Sequence, residues 1–266
     1  MDALSERNPR VVSAVKLHRG AHRRKTGLFL AEGANSVAAA LDTDRIDELF
    51  YSPRAAEREH ELVAGVAATG VRTTLVSERA AELLGETVTS PGLVAVCRQV
   101  DVPLAQVLSP TPRPLMLAVP VEISDPGNAG TLIRVADAVG ANGVVLAGDS
   151  VDPHNGKCVR ACAGSLFHVP LARERDIDAV LDALSEAGIT VLATTARGEV
   201  DLDDAEHILS GQVAWLFGNE AHGLDPEVAA RADHRIRIPI HGRAESLNLA
   251  AAAAICLYAG ARVQHR

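Results

Sequence analysis

An apolar run passes into a polar loop bracketed by glycines in the stretch Leu216-Phe217-Gly218-Asn219-Glu220-Ala221-His222-Gly223-Leu224. The run, residues 213–217, lacks the alternation of a half-buried strand, and similar runs occupy residues 115–119, 143–147, 189–194 and 236–240. Such runs indicate a parallel sheet that is covered on both faces. Ligands of open α/β sheets bind beyond the carboxyl ends of the strands, so a site is expected at the loop that follows Phe217.

A proline-rich stretch divides the chain. Residues 102–114 contain four prolines and no helical period, which predicts a linker. Before it, the pattern predicts helices at 9–19, 35–41, 54–68 and 78–84, and strands at 28–31, 46–51, 71–76 and 93–97. After it, helices are predicted at 176–187 and, rich in alanine, at 247–263. We therefore predict two α/β domains, residues 1–101 and 115–266, joined by the linker 102–114.

Positive charge is concentrated near the start of an acidic chain. The formal net charge of the 266 residues is −8, yet residues 1–30 carry seven Lys or Arg against two acidic residues. A local basic patch can bind phosphates even on an acidic protein. The candidate phosphate-binding residues are Lys16, Arg19, Arg23, Arg24 and Lys25. The alternative is an ordinary solvated helix end.

Cysteine usage and hydropathy indicate the cellular compartment in which the protein is expected. The four cysteines include no CxxC pair, which favours a reducing compartment. His154, Cys158, Cys162 and His168 lie close together in sequence, but their spacing does not match a zinc site, so no metal is expected. The chain shows neither a signal peptide pattern nor an apolar run long enough to span a bilayer. The expectation is a soluble, cytoplasmic protein.

A second polar loop, residues 125–134, runs from a predicted strand into a helix. Leu132 lies on the apolar face of that helix, and Arg134 is about 200° away from it on ideal helix geometry. A cation placed there can meet a phosphate, whereas the alternative is a surface arginine on an ordinary βα unit. Glu220 in the first loop offers a hydrogen-bond acceptor at a strand end, unless it is a solvated turn residue.

A third loop joins the strand at 236–240 to the final helix. Ser246 is a plausible N-cap for that helix. Asn248 is less easily explained, because an amide in the first turn of a helix built of Leu and Ala is a poor choice for helix propensity. Asn248 is therefore a candidate functional residue.

The three loops together resemble the signature motifs of the SpoU/TrmH family of RNA ribose methyltransferases, within the SPOUT superfamily. The matching positions are Asn128, Gly130 and Arg134; Gly218, Asn219, Glu220 and Gly223; and Ile238, Pro239, Ser246, Leu247 and Asn248. Residues 157–170 resemble the connecting segment of the family, and residues 12–98 resemble its L30e-like substrate-binding domain. The chain departs from the pattern at Cys162, where serine is usual, and at Ala221-His222, which replaces a glycine-containing pair.

The resemblance implies an N-terminal L30e-like α/β domain and a C-terminal α/β-knot domain, in which the chain threads a trefoil knot. The loops of the knot would bind S-adenosylmethionine (SAM), the methyl donor. The residues implied in SAM binding are Thr195, Leu216, Phe217, Gly218, Asn219, Gly223, Ile238, Pro239, Ile240, Ser246 and Leu247. The resemblance also implies a homodimer formed through the knot domain.

The implied reaction is methylation of a ribose 2′-hydroxyl. Family models assign activation of that hydroxyl to the motif-one arginine, here Arg134. Because arginine holds its proton tightly, we expect Arg134 to orient a substrate phosphate and to stabilise the developing alkoxide. The surrounding hydrogen-bond frame would be built by Asn128, Glu220, Ser246 and Asn248.

The expected substrate is ribosomal RNA of the large subunit, with transfer RNA as the alternative. A second alternative is an RNA-binding or ribosome assembly factor with the same fold and no turnover. A Rossmann-type nucleotide enzyme is disfavoured, since the chain has neither GxGxxG nor GxxxxGK[ST].

Overall fold

The computed structural model describes residues 3–87, 90–109 and 115–266. Strands in chain order are β1 (Leu28–Glu32), β2 (Ile46–Tyr51), β3 (Arg72–Leu75), β4 (Leu93–Arg98), β5 (Met116–Pro120), β6 (Gly143–Ala147), β7 (Leu171–Glu174), β8 (Thr190–Thr194), β9 (Val200–Asp201), β10 (Val213–Phe217) and β11 (His234–Arg237). Helices are α1 (Pro9–Val15), α2 (Gly20–Thr26), α3 (Ala34–Asp42), α4 (Pro53–Arg58), α5 (His60–Ala68), α6 (Glu78–Leu84), α7 (Leu104–Val107), α8 (Pro126–Ala138), α9 (Gly156–Cys162), α10 (Ile177–Glu186), α11 (Glu206–Leu209), α12 (Pro226–Ala230) and α13 (Leu249–Gln264).

The chain forms two compact units. Unit 1 comprises Met1–Val100 and Asp152–His168, and unit 2 comprises Asp101–Val151 and Val169–Arg266. Residues 110–114 of the expected linker lie outside the described residues, and its earlier part contains the short helix α7.

Unit 1 is built on a four-stranded sheet in the order β1-β4-β2-β3. β4 pairs antiparallel with both β1 and β2, and β3 runs parallel to β2 at the edge. Two predicted helices are interrupted here. The helix expected at 9–19 ends at Val15 and is followed by a 3₁₀ turn, and the one expected at 54–68 is broken at Glu59 into α4 and α5.

Unit 2 is built on a seven-stranded sheet in the order β7-β6-β5-β10-β8-β11-β9, with parallel pairing throughout. Every residue of β5, β6 and β10 is buried, as expected for strands that are covered on both faces. On one face Leu216 packs in a cluster with Val180 and Leu184 of α10. On the other, α13 approaches so closely that a Cβ on Gly260 would lie 2.7 Å from the Met116 sulfur.

Three sequence predictions for unit 2 were wrong in their bounds. Residues 126–134 of the expected second loop already belong to α8, because the Asp125 side chain caps the helix at this point. The strand expected at 236–240 is β11, His234–Arg237, and residues 238–240 already belong to the loop. The final helix starts at Leu249 because Asn248, and not Ser246, caps it: the Asn248 Oδ1 accepts from the backbone N–H groups of Ala250 and Ala251.

Candidate active site

The candidate site lies at the carboxyl ends of the central strands of unit 2. Because β5, β10, β8 and β11 are consecutive and parallel in the sheet, the loops that follow them lie side by side at one edge. The loop after β5 leads into α8, the loop after β10 carries Glu220, and the loop after β11 leads to Asn248 and α13. Parallel strands that all end at one edge therefore bring the three motif loops together.

Glu220 is the centre of a hydrogen-bond network. Its carboxylate accepts from the Ser124 N–H at 3.1 Å, the Ser124 hydroxyl at 2.9 Å, the Asp125 N–H at 3.0 Å and the Asn128 side-chain amide at 3.2 Å. Burial alone would raise the pKa of Glu220, but hydrogen bonds from its own N–H and from Ser124, Asp125 and Asn128 lower it. Glu220 is therefore an ionised acceptor that holds the start of α8.

Asn128 and Asn248 extend this network. The Asn248 side-chain N–H donates to the Asn128 Oδ1 at 3.1 Å, and the Asn128 N–H group on the other side of the same amide donates to Glu220. Asn248 simultaneously caps α13 through its own Oδ1. One residue from each motif thus forms the continuous chain Asn248, Asn128, Glu220, which fixes the relative positions of the three loops.

The loop that carries Glu220 is tightly closed by its glycines. Asn219 and Gly223 exchange backbone hydrogen bonds of 3.0 and 2.9 Å, and Gly223 has φ +75°. A Cβ on Gly218 would lie 2.1 Å from the Leu224 nitrogen, so no side chain fits there. The Asn219 side chain donates to the Glu122 carbonyl at 2.7 Å and so ties this loop to the end of β5.

A cavity of about 690 Å³ opens between these loops. The predicted residues that line it are Asn128, Thr195, Phe217, Gly218, Asn219, Glu220, Gly223, Ile238, Ile240, Ser246, Leu247 and Asn248. Ile240 and Leu247 are 38% and 39% exposed, which leaves apolar surface available to a ligand.

Three predicted residues do not line this cavity. Leu216 is fully buried in the sheet core, and Pro239 is half-buried between two residues that do line the cavity. Arg134 is exposed on α8, about two and a half helical turns after the N-cap Asp125. The sequence interpretation also missed Arg197, His222 and Glu245, which do line the cavity. For Arg197 and His222 the available signal was their position shortly after the ends of β8 and β10, and for Glu245 it was its place in the third motif loop.

The predicted phosphate-binding residues of unit 1 divide into two groups. Lys16, Arg19, Arg24 and Lys25 are exposed. Arg23 is 4% exposed and donates to the Asp152 carboxylate at 2.7 and 2.9 Å and to the carbonyls of Leu17 and His18. Its guanidinium is occupied inside unit 1, so the structure gives Arg23 a scaffolding position and leaves the other four residues to face solvent.

Two further observations concern metal ligands and membrane-spanning helices. Among the residues that the structure describes, no three His, Cys, Asp or Glu side chains are grouped as metal ligands. Within the same ranges, no helix has the length and apolar character needed to cross a membrane.

Protein-family models match both halves of the chain. Residues 116–258 match the SpoU rRNA Methylase family, and residues 8–95 match the MRM3-like substrate binding domain. A relative along nearly the whole length is the 23S rRNA (guanosine(2553)-2′-O)-methyltransferase RlmP of Bacillus subtilis. It is 34% identical over 254 residues, which cover 96% of each chain.

Solved structures resemble the whole chain as well. The AdoMet-bound rRNA methyltransferase from Sinorhizobium meliloti is 34% identical, with a TM-score of 0.86 over 98% of this chain and 97% of that one. The SpoU methyltransferase AviRb from Streptomyces viridochromogenes, in complex with AdoMet, is 27% identical, with a TM-score of 0.84 over 96% and 98%. The α/β arrangement, the motif loops and these likenesses agree, and the chain belongs to the SpoU rRNA Methylase family.

Proposed function

We propose that the protein transfers a methyl group from SAM to a ribose 2′-hydroxyl of large-subunit ribosomal RNA. The observation that carries the proposal is the hydrogen-bonded chain Asn248, Asn128, Glu220 at the edge of the cavity. Side chains 92 and 120 positions apart in sequence meet there, and they fix the three motif segments around the cavity. Relatives that match along most of the chain carry names of 23S rRNA 2′-O-methyltransferases.

The cavity fits SAM in size and chemistry. Cofactor sites have volumes of about 300–1,000 Å³ and combine apolar walls with a few polar groups. Here Ile238, Ile240 and Leu247 supply apolar surface, and the hydrogen-bonded side chains of Asn128, Glu220 and Asn248 supply polar groups. SAM would supply an electrophilic methyl group, and the residues around it would hold the acceptor hydroxyl in line.

Arg134 is the proposed substrate-orienting cation. It lies on α8, whose first turn is fixed by Glu220, and it is exposed, so a phosphate can reach it. Since a guanidinium does not give up its proton near neutral pH, its contribution is to position the phosphate and to stabilise negative charge that develops on the ribose oxygen. As the O–CH₃ bond forms and the S–CH₃ bond of SAM breaks, the ribose hydroxyl loses its proton to a group other than Arg134.

Arg134 does not line the cavity of its own chain. In a homodimer, Arg134 would be able to act at the cavity of the second chain. The exposed side of α13 carries Ala251, Ile255 and Tyr258 at helical spacing, directly after the site residue Asn248. An apolar stripe of this kind on a helix is suited to packing against a second copy of the chain. We propose that two copies associate through unit 2.

Unit 1 is proposed to select the RNA. It contains the match to a substrate binding domain and the exposed cations Lys16, Arg19, Arg24 and Lys25. Because the grooves of double-stranded RNA offer little sequence to side chains, the target ribose is expected in a loop or bulge. We place this activity in the cytoplasm, where ribosomal RNA is available as substrate.

Transfer of labelled methyl groups tests the proposal. Purified protein, SAM labelled in the methyl group, and unmodified large-subunit ribosomal RNA should give labelled RNA with a single 2′-O-methylated nucleotide. Transfer RNA and small-subunit RNA serve as competing substrates. Mapping 2′-O-methylation in cells with and without the gene should show loss at the same nucleotide. SAM binding without transfer to any RNA would favour the assembly-factor alternative.

A further inference from the structure

The cavity wall opposite Asn128 carries an arginine that no part of the proposed reaction uses. Arg197 lies in the loop that follows β8, while Asn128 follows β5, and β10 with its Glu220 loop lies between them. Arg197 is exposed. Among the described residues, no other Lys or Arg lines this cavity. A positive charge is thus presented at the far side of the site.

Arg197 differs from the neighbouring arginines in its lack of a carboxylate partner. Arg235 pairs with Glu199 at 2.8 Å, Arg237 pairs with Asp201, and Arg231 bridges Asp178 and Asp182 on α10. Across the ranges that the structure describes, no carboxylate oxygen lies within 4.0 Å of the Arg197 guanidinium. Its five N–H donors are therefore available to an external anion.

The loop that carries Arg197 is held in place on both sides. Before it, the Thr195 N–H donates to the Ile236 carbonyl at 3.0 Å. After it, a Cβ on Gly198 would lie 2.5 Å from the Arg235 carbonyl oxygen, so the loop rests directly on β11. The Glu199 carboxylate accepts from both the Arg235 N–H and its Nε. A pinned loop limits the backbone entropy that is lost when Arg197 binds an anion, so the remaining entropic cost is that of ordering the side chain.

Charge balance favours an RNA phosphate over the carboxylate of the methyl donor. SAM carries a sulfonium, an ammonium and a carboxylate, which leaves one net positive charge near neutral pH. An unpaired arginine in the same cavity opposes a ligand of that charge. RNA, in contrast, brings a negative charge at every nucleotide, and guanidinium groups bind phosphate through two parallel hydrogen bonds.

We infer that Arg197 forms a phosphate subsite for the RNA strand, on the opposite side of the Glu220 loop from Asn128 and Arg134. This inference rests on the proposed function. A strand held at both sides would place the ribose between the two anchors, over the centre of the cavity. Contacts to phosphates fix the register of a nucleic acid without reading its sequence, so Arg197 is assigned to positioning and affinity.

Arg197→Gln tests the subsite by RNA binding. Affinity for unmodified large-subunit ribosomal RNA transcribed in vitro should fall about tenfold, the loss expected for one charge-assisted contact. The slope of log affinity against log salt concentration should decrease by about 0.7 for a single-stranded contact. Arg197→Lys should restore the slope but not the full affinity, because lysine keeps the charge and loses the planar fork.

Arg266→Gln is the matched control. It removes the same charge from an arginine that pairs with Glu206. Gln264, two residues earlier, donates to the carbonyls of Leu209 and Gly211, which precede β10. Arg266 therefore lies at the amino end of the sheet, away from the cavity. RNA affinity of this variant should equal that of the wild type. The SAM dissociation constant, measured by isothermal titration calorimetry, should be unchanged in Arg197→Lys and Arg266→Gln, which keep the charge at position 197. It should not rise in Arg197→Gln, because that variant removes a charge that opposes the cationic methyl donor.

Two outcomes would overturn the subsite. The first is unchanged RNA affinity and salt slope in Arg197→Gln, and the second is a weakened SAM affinity with RNA binding intact, which would assign Arg197 to the cofactor carboxylate. If the wild type methylates RNA in either case, the proposed function stands without the subsite. If the wild type neither binds nor methylates RNA, both proposals fail.

Discussion

Two carboxylates with lowered pKa values have different tasks. Glu220 organises the candidate site, where its acceptors are filled by Ser124, Asp125 and Asn128. Asp152 accepts two hydrogen bonds from the buried Arg23 and lies inside unit 1. Both stay ionised at neutral pH because hydrogen bonds to the charged form outweigh the cost of burial. A lowered pKa therefore marks a saturated carboxylate, and neither is a candidate for the general base.

Arg134→Ala should remove transfer without removing the methyl donor. Loss of one group that stabilises developing charge typically lowers a chemical rate by about 10²–10³. Arg134 does not line the cavity, so the SAM dissociation constant should remain within about twofold of the wild-type value. Single-turnover methyl transfer measures the rate, and isothermal titration calorimetry measures the SAM dissociation constant. Loss of SAM binding in a folded Arg134→Ala protein would contradict the assigned role.

In Asp152→Asn, the free energy of unfolding of unit 1 should change less as the pH is lowered. Burial raises the pKa of Asp152, but hydrogen bonds from His154 and Arg23 and the charge of Arg23 hold it well below its usual range. The folded-state pKa lies below the unfolded value near 4, so the stabilisation is complete above about pH 4 and is lost as pH falls through the folded-state pKa. At pH 7 the free energy of unfolding of the wild type should exceed that of the variant by about 2–3 kcal/mol, because the substitution leaves Arg23 buried without a counter-ion.

Chemical unfolding at pH 7 and at pH 3 checks this difference, which should be smaller at the lower pH. Asp149→Asn is the control, because its pair with Arg175 is more than four-fifths exposed on both sides. That variant should stay within about 0.5 kcal/mol of the wild type at both pH values. An equal gap between the wild type and Asp152→Asn at pH 7 and pH 3 would contradict the linkage argument.

At the scale of elements, α2 is the proposed RNA-binding helix. Arg23 pins its buried side, while Arg24 and Lys25 point to solvent. Arg24→Gln combined with Lys25→Gln should weaken ribosomal RNA binding about equally across sequences and lower the salt slope by about 1.4, two single-strand contacts. The double variant should retain its SAM affinity, since α2 belongs to unit 1 and the cavity to unit 2.

The control for α2 is Arg54→Gln combined with Arg72→Gln. Arg72 lies on β3, at the opposite edge of the sheet from β1, and Arg54 is the second residue of α4. Both are exposed, and the change in charge is the same. Filter binding over a range of salt concentrations compares the two double variants. An equal loss of RNA affinity in both double variants would show that the net charge of the protein determines binding and that α2 is not a specific RNA-binding helix.

Elements with a strong local signal were predictable, and those set by tertiary contacts were not. The apolar run at 213–217 is β10 because five consecutive buried residues leave a clear pattern. The break at Glu59 leaves no such mark, because the sequence on either side is equally helical. The position of Asn248 as N-cap was missed because serine at 246 is an equally good cap on local grounds.

The candidate site shows the same division. The motif loops were found from the sequence, since strand ends, glycines and polar residues coincide there. The bonds that join Asn128 to Glu220 and Asn248 depend on which strands become neighbours, and sequence order does not reveal that β10 lies between β5 and β8. The burial of Arg23 was hidden for a similar reason: its partner Asp152 is 129 positions away.

At the scale of the whole molecule, the order of the chain and the division into units do not coincide. Asp152–His168 lies in sequence between β6 and β7 of unit 2, yet it clusters with unit 1. Within unit 1, His154 packs against Phe29 with ring centroids 4.6 Å apart, and a Cβ on Gly164 would lie 3.1 Å from the Asn35 carbonyl oxygen. Because unit 1 includes this segment, the first hundred residues alone would lack part of its packing.

Association of two chains is the last property to test. Ile255 and Tyr258 on α13 are 41% and 65% exposed, whereas Cys256 and Leu257 between them are buried. Ile255→Glu places a charge in the middle of this apolar stripe, where a partner would have to desolvate it without compensation. Sedimentation should show a dimer for the wild type and a monomer for Ile255→Glu at micromolar concentration.

Leu83→Glu is the matched control, since Leu83 is 46% exposed on α6 of unit 1 and should not affect association through unit 2. The activity of the two variants then tells whether Arg134 works across the interface. A monomeric Ile255→Glu protein that binds SAM but transfers no methyl group fits a site completed by the second chain. A fully active monomer would mean that each chain carries a complete site, and a dimeric Ile255→Glu protein would remove α13 from the interface.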